Sequence, residues 1–355
     1  MDLNALCGSG LGSFEMLEKL KGFYSLNHQH LKTGVSFIDS VTNGGLILGM
    51  TVLGGMPNVG KSTLLVQVAV ELCKKGTPVV YVNKDMRAEE VMLKAVSYIS
   101  AMPFLSETYS VTDISKVYSM GNDIADDVRL EVVQFCERLH VIDIDDAKWS
   151  DIGVARLSEK SALGRVIEAY CSYYKESPVF IIDSLQSIAV SADRNSKESM
   201  DLVLSEIRCL QRKYNVRVVL VSNFNRGSYD KPADLLSFKE SGSIEYFSDC
   251  VLALDFADKS QKARKSMVRK VNLVNLKDRV SEHKELALKF DVLKSTFYAA
   301  SSDDATLVIP AIPAAPESKA QKAPDTVYDM DAMFGVADNK SEDNKFSSFE
   351  DFLKS

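Results

Sequence analysis

A doubly wound α/β domain with a mostly parallel sheet is the fold class that this 355-residue sequence predicts, and three observations carry it. Continuous apolar, β-branched runs recur along the chain, among them Val79-Val80-Tyr81-Val82 and Val179-Phe180-Ile181-Ile182. Runs of that kind mark parallel strands buried on both faces. Helical stretches separate them, so the connections are right-handed crossovers. The third observation is Gly55-Met56-Pro57-Asn58-Val59-Gly60-Lys61-Ser62, which fits G-x-x-x-x-G-K-[ST] at every fixed position.

The elements follow in order. Residues 1–32 form an N-terminal segment with one short amphipathic helix, Phe14 to Lys21, for which Ser13 is placed as a cap. Packing on its own core and packing on a neighbouring subunit are both open for that helix. Thr51-Val52-Leu53-Gly54 reads as a buried strand and residues 63–72 as a helix, so the Gly-rich loop lies between strand and helix as phosphate binding requires. Further strands are expected at 79–82, 139–144, 179–182, 216–221, 251–254 and 271–276. Residues 269–299 read as antiparallel strands at one edge, which places the whole domain at 33–300.

Residues 301–355 change character. They contain Pro310, Pro313, Pro316 and Pro324, with eleven acids against five lysines, and read as a disordered acidic tail. At the end, Phe346, Phe349 and Leu353 fall on one helical face. A docking peptide for a replication protein and a simple disordered end are both compatible with that spacing.

The formal charge of −7 falls mostly in this tail, leaving −1 for residues 1–300. The folded part is almost neutral, so local basic surfaces are permitted. Six scattered cysteines without a C-x-x-C pair argue against disulfide frameworks and zinc modules. No apolar run approaches the roughly 20 residues of a membrane span, and the start lacks a signal-peptide layout. A cytoplasmic setting is expected.

The Gly-rich loop states what the chain binds. Its successive backbone N–H groups line one concavity for the α- and β-phosphates of a nucleotide. Pro57 is the exception, shaping the loop without a donor. Lys61 reaches the β- and γ-phosphates, and Ser62 ligates Mg²⁺. Thus Gly55, Pro57, Asn58, Val59, Gly60, Lys61, Ser62 and Thr63 are the candidate nucleotide-binding residues. Asp183 ends the apolar strand 179–182 and is the candidate second holder of the Mg²⁺ shell.

Several segments together resemble the RecA-fold ATPase domain of DnaB-type replicative helicases. Thr33-Gly34-Val35 leads through a helix into the phosphate loop, and Ile182-Asp183-Ser184-Leu185-Gln186 looks like that family's Walker B strand. Ser222-Asn223-Phe224-Asn225-Arg226 is similar to its Ser-Gln-Leu-Asn-Arg segment. Lys239-Glu240-Ser241-Gly242-Ser243-Ile244-Glu245 matches its Arg-Glu-Ser-Gly-Ser-Ile-Glu with one conservative change, and Lys277-Asp278-Arg279 looks like its Lys-Gln-Arg. The resemblance covers residues 33–298 and makes the expected fold RecA-like.

What the resemblance implies is specific. Asp85 stands where the family has a Glu that orients the attacking water, and Asn223 stands where it has a γ-phosphate-sensing Gln. Each is one methylene shorter, which a tighter cleft offsets or which slows hydrolysis. Lys277 and Arg279 would enter a neighbouring subunit's ATP site and stabilise transition-state charge there. The implied DNA loops map to about 191–199 and 227–239, offering Arg194, Lys197, Arg226, Lys231 and Lys239 to a single-stranded backbone. About 32 residues precede the domain, so the family's helical N-terminal domain is expected to be missing.

The function so implied is an ATP-hydrolysing helicase, a homo-oligomeric ring taken as hexameric, on single-stranded DNA in phage or plasmid replication. Two other readings remain open. A RadA-like recombination or branch-migration ATPase shares the Walker B segment and the Lys-x-Arg pair. A nucleotide-gated loading scaffold with weak hydrolysis would fit the shortened Asp85 and Asn223.

Overall fold

The computed structural model describes residues 30–143, 162–188, 196–239, 241–278 and 284–300. Nine strands form one sheet in the order β3-β2-β4-β5-β1-β6-β7-β8-β9. β1 (Met50–Gly55) lies between β5 (Arg217–Asn223) and β6 (Cys250–Phe256), parallel to both. β2 (Val79–Asn83) and β4 (Val179–Asp183) continue the parallel part, and β3 (Leu139–Asp143) closes it. β7 (Val268–Asp278), β8 (Glu285–Asp291) and β9 (Thr296–Ala299) are antiparallel. The mostly parallel, RecA-like sheet with an antiparallel margin is therefore as the sequence predicts.

Position in the sheet decides burial. Every residue of β1, β2, β4 and β6 is buried, because helices cover both faces. β3 departs from that expectation: only Ile142 is fully buried, since the strand has a neighbour on one side alone. Its His140 is covered by the rings of Tyr170 and Tyr174, and that burial pulls its pKa down to about 4.

The helices obey local signals. α1 (Ser36–Val41) is tied to the segment before it through its own Asp39, whose carboxylate accepts bonds from the N–H and hydroxyl of Thr33, each 2.8 Å, and from Gly34 N. α2 (Lys61–Lys74) begins directly at the end of the Gly-rich loop and is buried along most of its length. α3 (Ala88–Ser100) is opened by Glu90, which accepts from Arg87 N at 3.0 Å. α4 (Val111–Ser119) starts with a capping box between Ser110 and Asp113. With α5 (Asp126–Cys136) these helices enclose a satellite core of Val96, Tyr109, Ile114, Ile124 and Val128. α6 (Ala162–Tyr173), the single turn α7 (Leu185–Ile188), α8 (Ser196–Tyr214), α9 (Ser241–Phe247) and the short α10 (Gln261–Arg264) follow along the chain.

One buried ion pair locks the sheet at the end where its parallel strands begin. Asp249 accepts a bond from Met50 N at 2.9 Å and forms a forked pair with the Arg208 guanidinium. Gly49 is needed there, because a Cβ would collide with the Asp249 carboxylate. The helix expected at 14–21 and the tail expected at 301–355 lie outside the described residues.

Candidate nucleotide-binding site

The parallel strands all end on one side, and the candidate site is built on those ends. Register sets their relative heights: Gly55 pairs with Asn223 and with Leu254, and Asn83 pairs with Asp183. The Gly-rich loop leaves β1 at this level. Gly60 has φ +105°, and a Cβ there would stand 2.6 Å from Phe297 and 2.9 Å from Phe290. Those two rings are stacked 4.3 Å apart and support the loop from beneath. Glycine is thus required at position 60 by both torsion and space.

Lys61 lies buried in the concavity and donates to the carbonyls of Gly55 and Met56, each at 3.0 Å. Desolvation pulls its pKa down to about 8, while the charge of Asp183 works in the opposite direction. Asp183 is buried too, and that burial raises its pKa above the ordinary carboxylate value. Hydrogen bonds from Ser62 and Tyr81, together with the Lys61 charge, pull it back. Tyr81 donates to Oδ2 of Asp183 at 2.8 Å and remains a phenol, because burial and the neighbouring carboxylate hold its pKa well above the ordinary value.

The Ser62 hydroxyl and the Asp183 carboxylate are hard oxygen donors in hydrogen-bonding reach of each other. They suit a Mg²⁺ that takes its other ligands from phosphate and water. Among the described residues there is no cluster of three or more His, Cys, Asp or Glu that could hold a metal without such help.

Asp85 stands in the turn after β2 and is exposed. Its Oδ2 accepts from the hydroxyls of Ser184, at 2.9 Å, and Ser187, at 2.6 Å. Gln186, between them, donates to Ser222 Oγ at 2.9 Å and accepts from Asn223 N at 3.2 Å. Asp85, Asp183 and Asn223 therefore converge on one group of strand ends, although they lie far apart in sequence.

The loop opens into a cleft of about 840 Å³ lined by Pro57, Asn58, Gly60, Lys61, Ser62 and Thr63. Its other walls carry Lys94, Arg264, Lys265, Arg269, Phe256 and Phe290. Arg269 donates to the Asn58 carbonyl at 2.6 Å, and its guanidinium lies 5.7 Å from the Phe290 ring centroid. It braces the loop where Asn58 turns left-handed, at φ +63°. Tyr81, Ser184, Ser187 and Arg269 were not among the residues that sequence reasoning selected. A tyrosine within an apolar strand and serines beyond it carry no local signal of their partners.

Lys277 is placed elsewhere. It pairs with Val251 near the start of β6, at the opposite end of the sheet from the phosphate loop. Its ammonium donates to the carbonyls of Glu245 and Ser248 around the end of α9, the latter at 2.8 Å. Nor is it on an edge strand, for β7 runs between β6 and β8. Arg279 lies outside the described residues, as does Arg194. Lys197, Arg226, Lys231 and Lys239 are all exposed. Lys197 and Lys239 are brought together on a second cleft, of about 810 Å³, with Asn225, Leu236 and Tyr246. Arg226 and Lys231 do not line it. Among the described residues no helix is long and apolar enough to cross a membrane.

Known proteins share both the sequence pattern and the architecture. A family model described as the DnaB-like helicase C terminal domain matches residues 30–299. The DNA repair protein RadA of Brucella abortus (strain 2308) is 29% identical over 188 residues, covering 49% of this chain and 38% of that protein. RadA of Streptococcus pyogenes serotype M1 is 40% identical over 78 residues, 22% of this chain and 17% of that protein. The chain thus spans well under half the length of these curated relatives. Among solved structures, one described as an ATPase domain superposes with a TM-score of 0.63 at 15% identity, covering 82% of this chain and 100% of that one. A DnaB-like replicative helicase, described with its interactions with primase, gives 0.61 at 14% identity, covering 81% and 67%. At such identities the two structures speak for the fold.

Proposed function

The chain belongs to the family of DnaB-like helicase C-terminal domains, and from that premise we propose that it is an ATP-driven motor on single-stranded DNA. The observation that carries this reading is the convergence of Lys61, Ser62 and Asp183 with Asp85 and Asn223 at the ends of β1, β2, β4 and β5. Phosphoryl transfer to water demands little covalent chemistry. It demands a cradle for the triphosphate, an oriented water and charge compensation.

In this reading the Gly55–Thr63 loop binds the phosphates and Lys61 compensates their charge. Ser62 and Asp183 would hold Mg²⁺, which neutralises charge on the phosphate oxygens when bound. Asp85 accepts a proton from the attacking water and orients it. Asn223, at the end of β5, registers the γ-phosphate. Lys277 lies too far from its own phosphate loop for such work, so its role, with Arg279, is toward the site of a neighbouring copy in a ring, taken as hexameric. Lys197, Lys239, Arg226 and Lys231 offer charge to a DNA backbone without reading sequence. A replication setting and a contact with a primase follow the DnaB-like structure whose interactions with primase are described.

The partial matches to RadA favour a second reading, a branch-migration ATPase in DNA repair. A forked duplex and a three-stranded recombination intermediate, offered side by side, separate the two. The motor reading expects ATP hydrolysis stimulated by single-stranded oligothymidylate, abolished by Lys61→Ala, and a multimeric mass in the presence of ATP. Hydrolysis indifferent to DNA, from a particle that stays monomeric, would point to the loading scaffold instead.

A further inference from the structure

We propose that Ser184 and Ser187 are positioning residues for hydrolysis, holding the shortened base Asp85 in its working place. The proposal rests on the reading of Asp85 as the base. Asp85 lies in an exposed turn, where a carboxylate left to solvent would sample several rotamers and lose side-chain entropy on being ordered. Instead, its Oδ2 meets two hydroxyls at 2.9 and 2.6 Å. The 2.6 Å bond from Ser187 has the length of a strong, charge-assisted O–H···O⁻ bond, and the 2.9 Å bond from Ser184 is of ordinary length.

The two serines are themselves fixed. Ser184 is buried, its hydroxyl is 2.6 Å from that of Ser187, and its carbonyl accepts Ser187 N at 3.2 Å. The two hydroxyl protons thus point toward Asp85 directly or through the other hydroxyl. Ser184 stands just before the one-turn helix α7, the position of a helix cap. A cap hydroxyl would accept from a backbone N–H of the next turn. Here the hydroxyl is committed across the sheet, to a residue 99 positions earlier in the chain.

The same turn also controls the γ-phosphate side. Gln186, between the two serines, bridges Ser222 Oγ and Asn223 N on β5. One turn of chain therefore sets the separation of Asp85 and Asn223. Those are the two positions where a methylene is missing relative to the family pattern. A rigid bracket of this kind replaces the reach that a longer side chain supplies, since catalysis depends on placing the base within about an ångström.

The test compares the wild-type chain with Ser184→Ala/Ser187→Ala, Ser187→Thr and Asp85→Asn. Hydrolysis is measured at saturating Mg²⁺ and oligothymidylate, and nucleotide binding by a fluorescent ATP analogue. The double alanine variant is expected to lose about 10- to 100-fold in kcat, with KM for ATP and analogue binding within about twofold of wild type. Ser187→Thr keeps the hydroxyl and is expected to retain most of kcat. If kcat of the double variant stays close to wild type while Asp85→Asn is inactive, the bracket is refuted and the base assignment stands. If Asp85→Asn turns over normally, the base assignment itself fails. A parallel loss of analogue binding in the double variant would mean a merely structural role for the serines, and would also overturn the proposal.

Discussion

Tyr81 and Asp183, 102 residues apart in the chain, meet through a 2.8 Å hydrogen bond from the phenol to Oδ2 of the carboxylate. The donor is completely buried in β2, and the acceptor ends the neighbouring β4. The bond holds the carboxylate in one orientation on the side that faces Ser62. Tyr81→Phe removes the donor and keeps the ring. It is expected to cost about 1–3 kcal/mol in urea unfolding, with the slope unchanged, and to raise the Mg²⁺ concentration needed for half-maximal hydrolysis. A variant with wild-type Mg²⁺ dependence would show that the bond serves packing alone.

Lys61 predicts a conflict between stability and function. Its pKa falls from the ordinary 10.5 to about 8 on folding, chiefly through desolvation. Between pH 8 and 10.5 the unfolded chain therefore holds the proton that the folded chain has released. Stability from this group rises as pH rises across that window. At neutral pH the buried ammonium is a net cost, so Lys61→Met is expected to raise unfolding free energy there by about 1–3 kcal/mol. The same variant is expected to lose nucleotide binding. Equilibrium denaturation from neutral pH up through that window checks both the sign and the flattened slope.

Lys277 at the far end of the sheet makes assembly testable. Arg279→Ala protein and Asp183→Ala protein are each expected to be inactive alone. Mixed, they are expected to recover part of the hydrolysis, because some interfaces then combine an intact Mg²⁺ site with an intact basic pair. Absence of recovery in mixed particles of confirmed composition would exclude action between subunits.

Lys197 and Lys239 share the second cleft and share a prediction. Replacing either by Gln is expected to weaken single-stranded DNA binding about equally for all sequences. The slope of log affinity against log salt should fall by about 0.7 for each phosphate that the variant no longer neutralises. A salt titration by fluorescence anisotropy measures it. An unchanged slope would mark that lysine as an ordinary surface charge.

Much of this protein was legible in its sequence because the decisive signals are local. The Gly-rich loop must lie between a buried strand and a helix, and residues 55–63 with their flanks state that within one short stretch. The apolar runs at β1, β2, β4, β5 and β6 announce a parallel sheet, since only strands covered on both faces are so uniformly apolar. Strand order is a different matter. Nothing in a strand's own composition says which neighbour it takes, so the half-exposed β3 reads much like its buried companions.

The amino-acid order alone determined the Gly-rich loop between strand and helix, the acidic end of β4 and the α/β class, all consequences of short-range spacing. Tertiary structure alone decided that Tyr81 would reach Asp183, that Arg269 would brace Asn58 from 211 residues away, and that two serines would grip Asp85. It also carried Lys277 to the end of the sheet remote from the cradle. The physical reason is that such meetings depend on register and adjacency across a sheet. Those are settled by how the whole core packs, and no single segment encodes them.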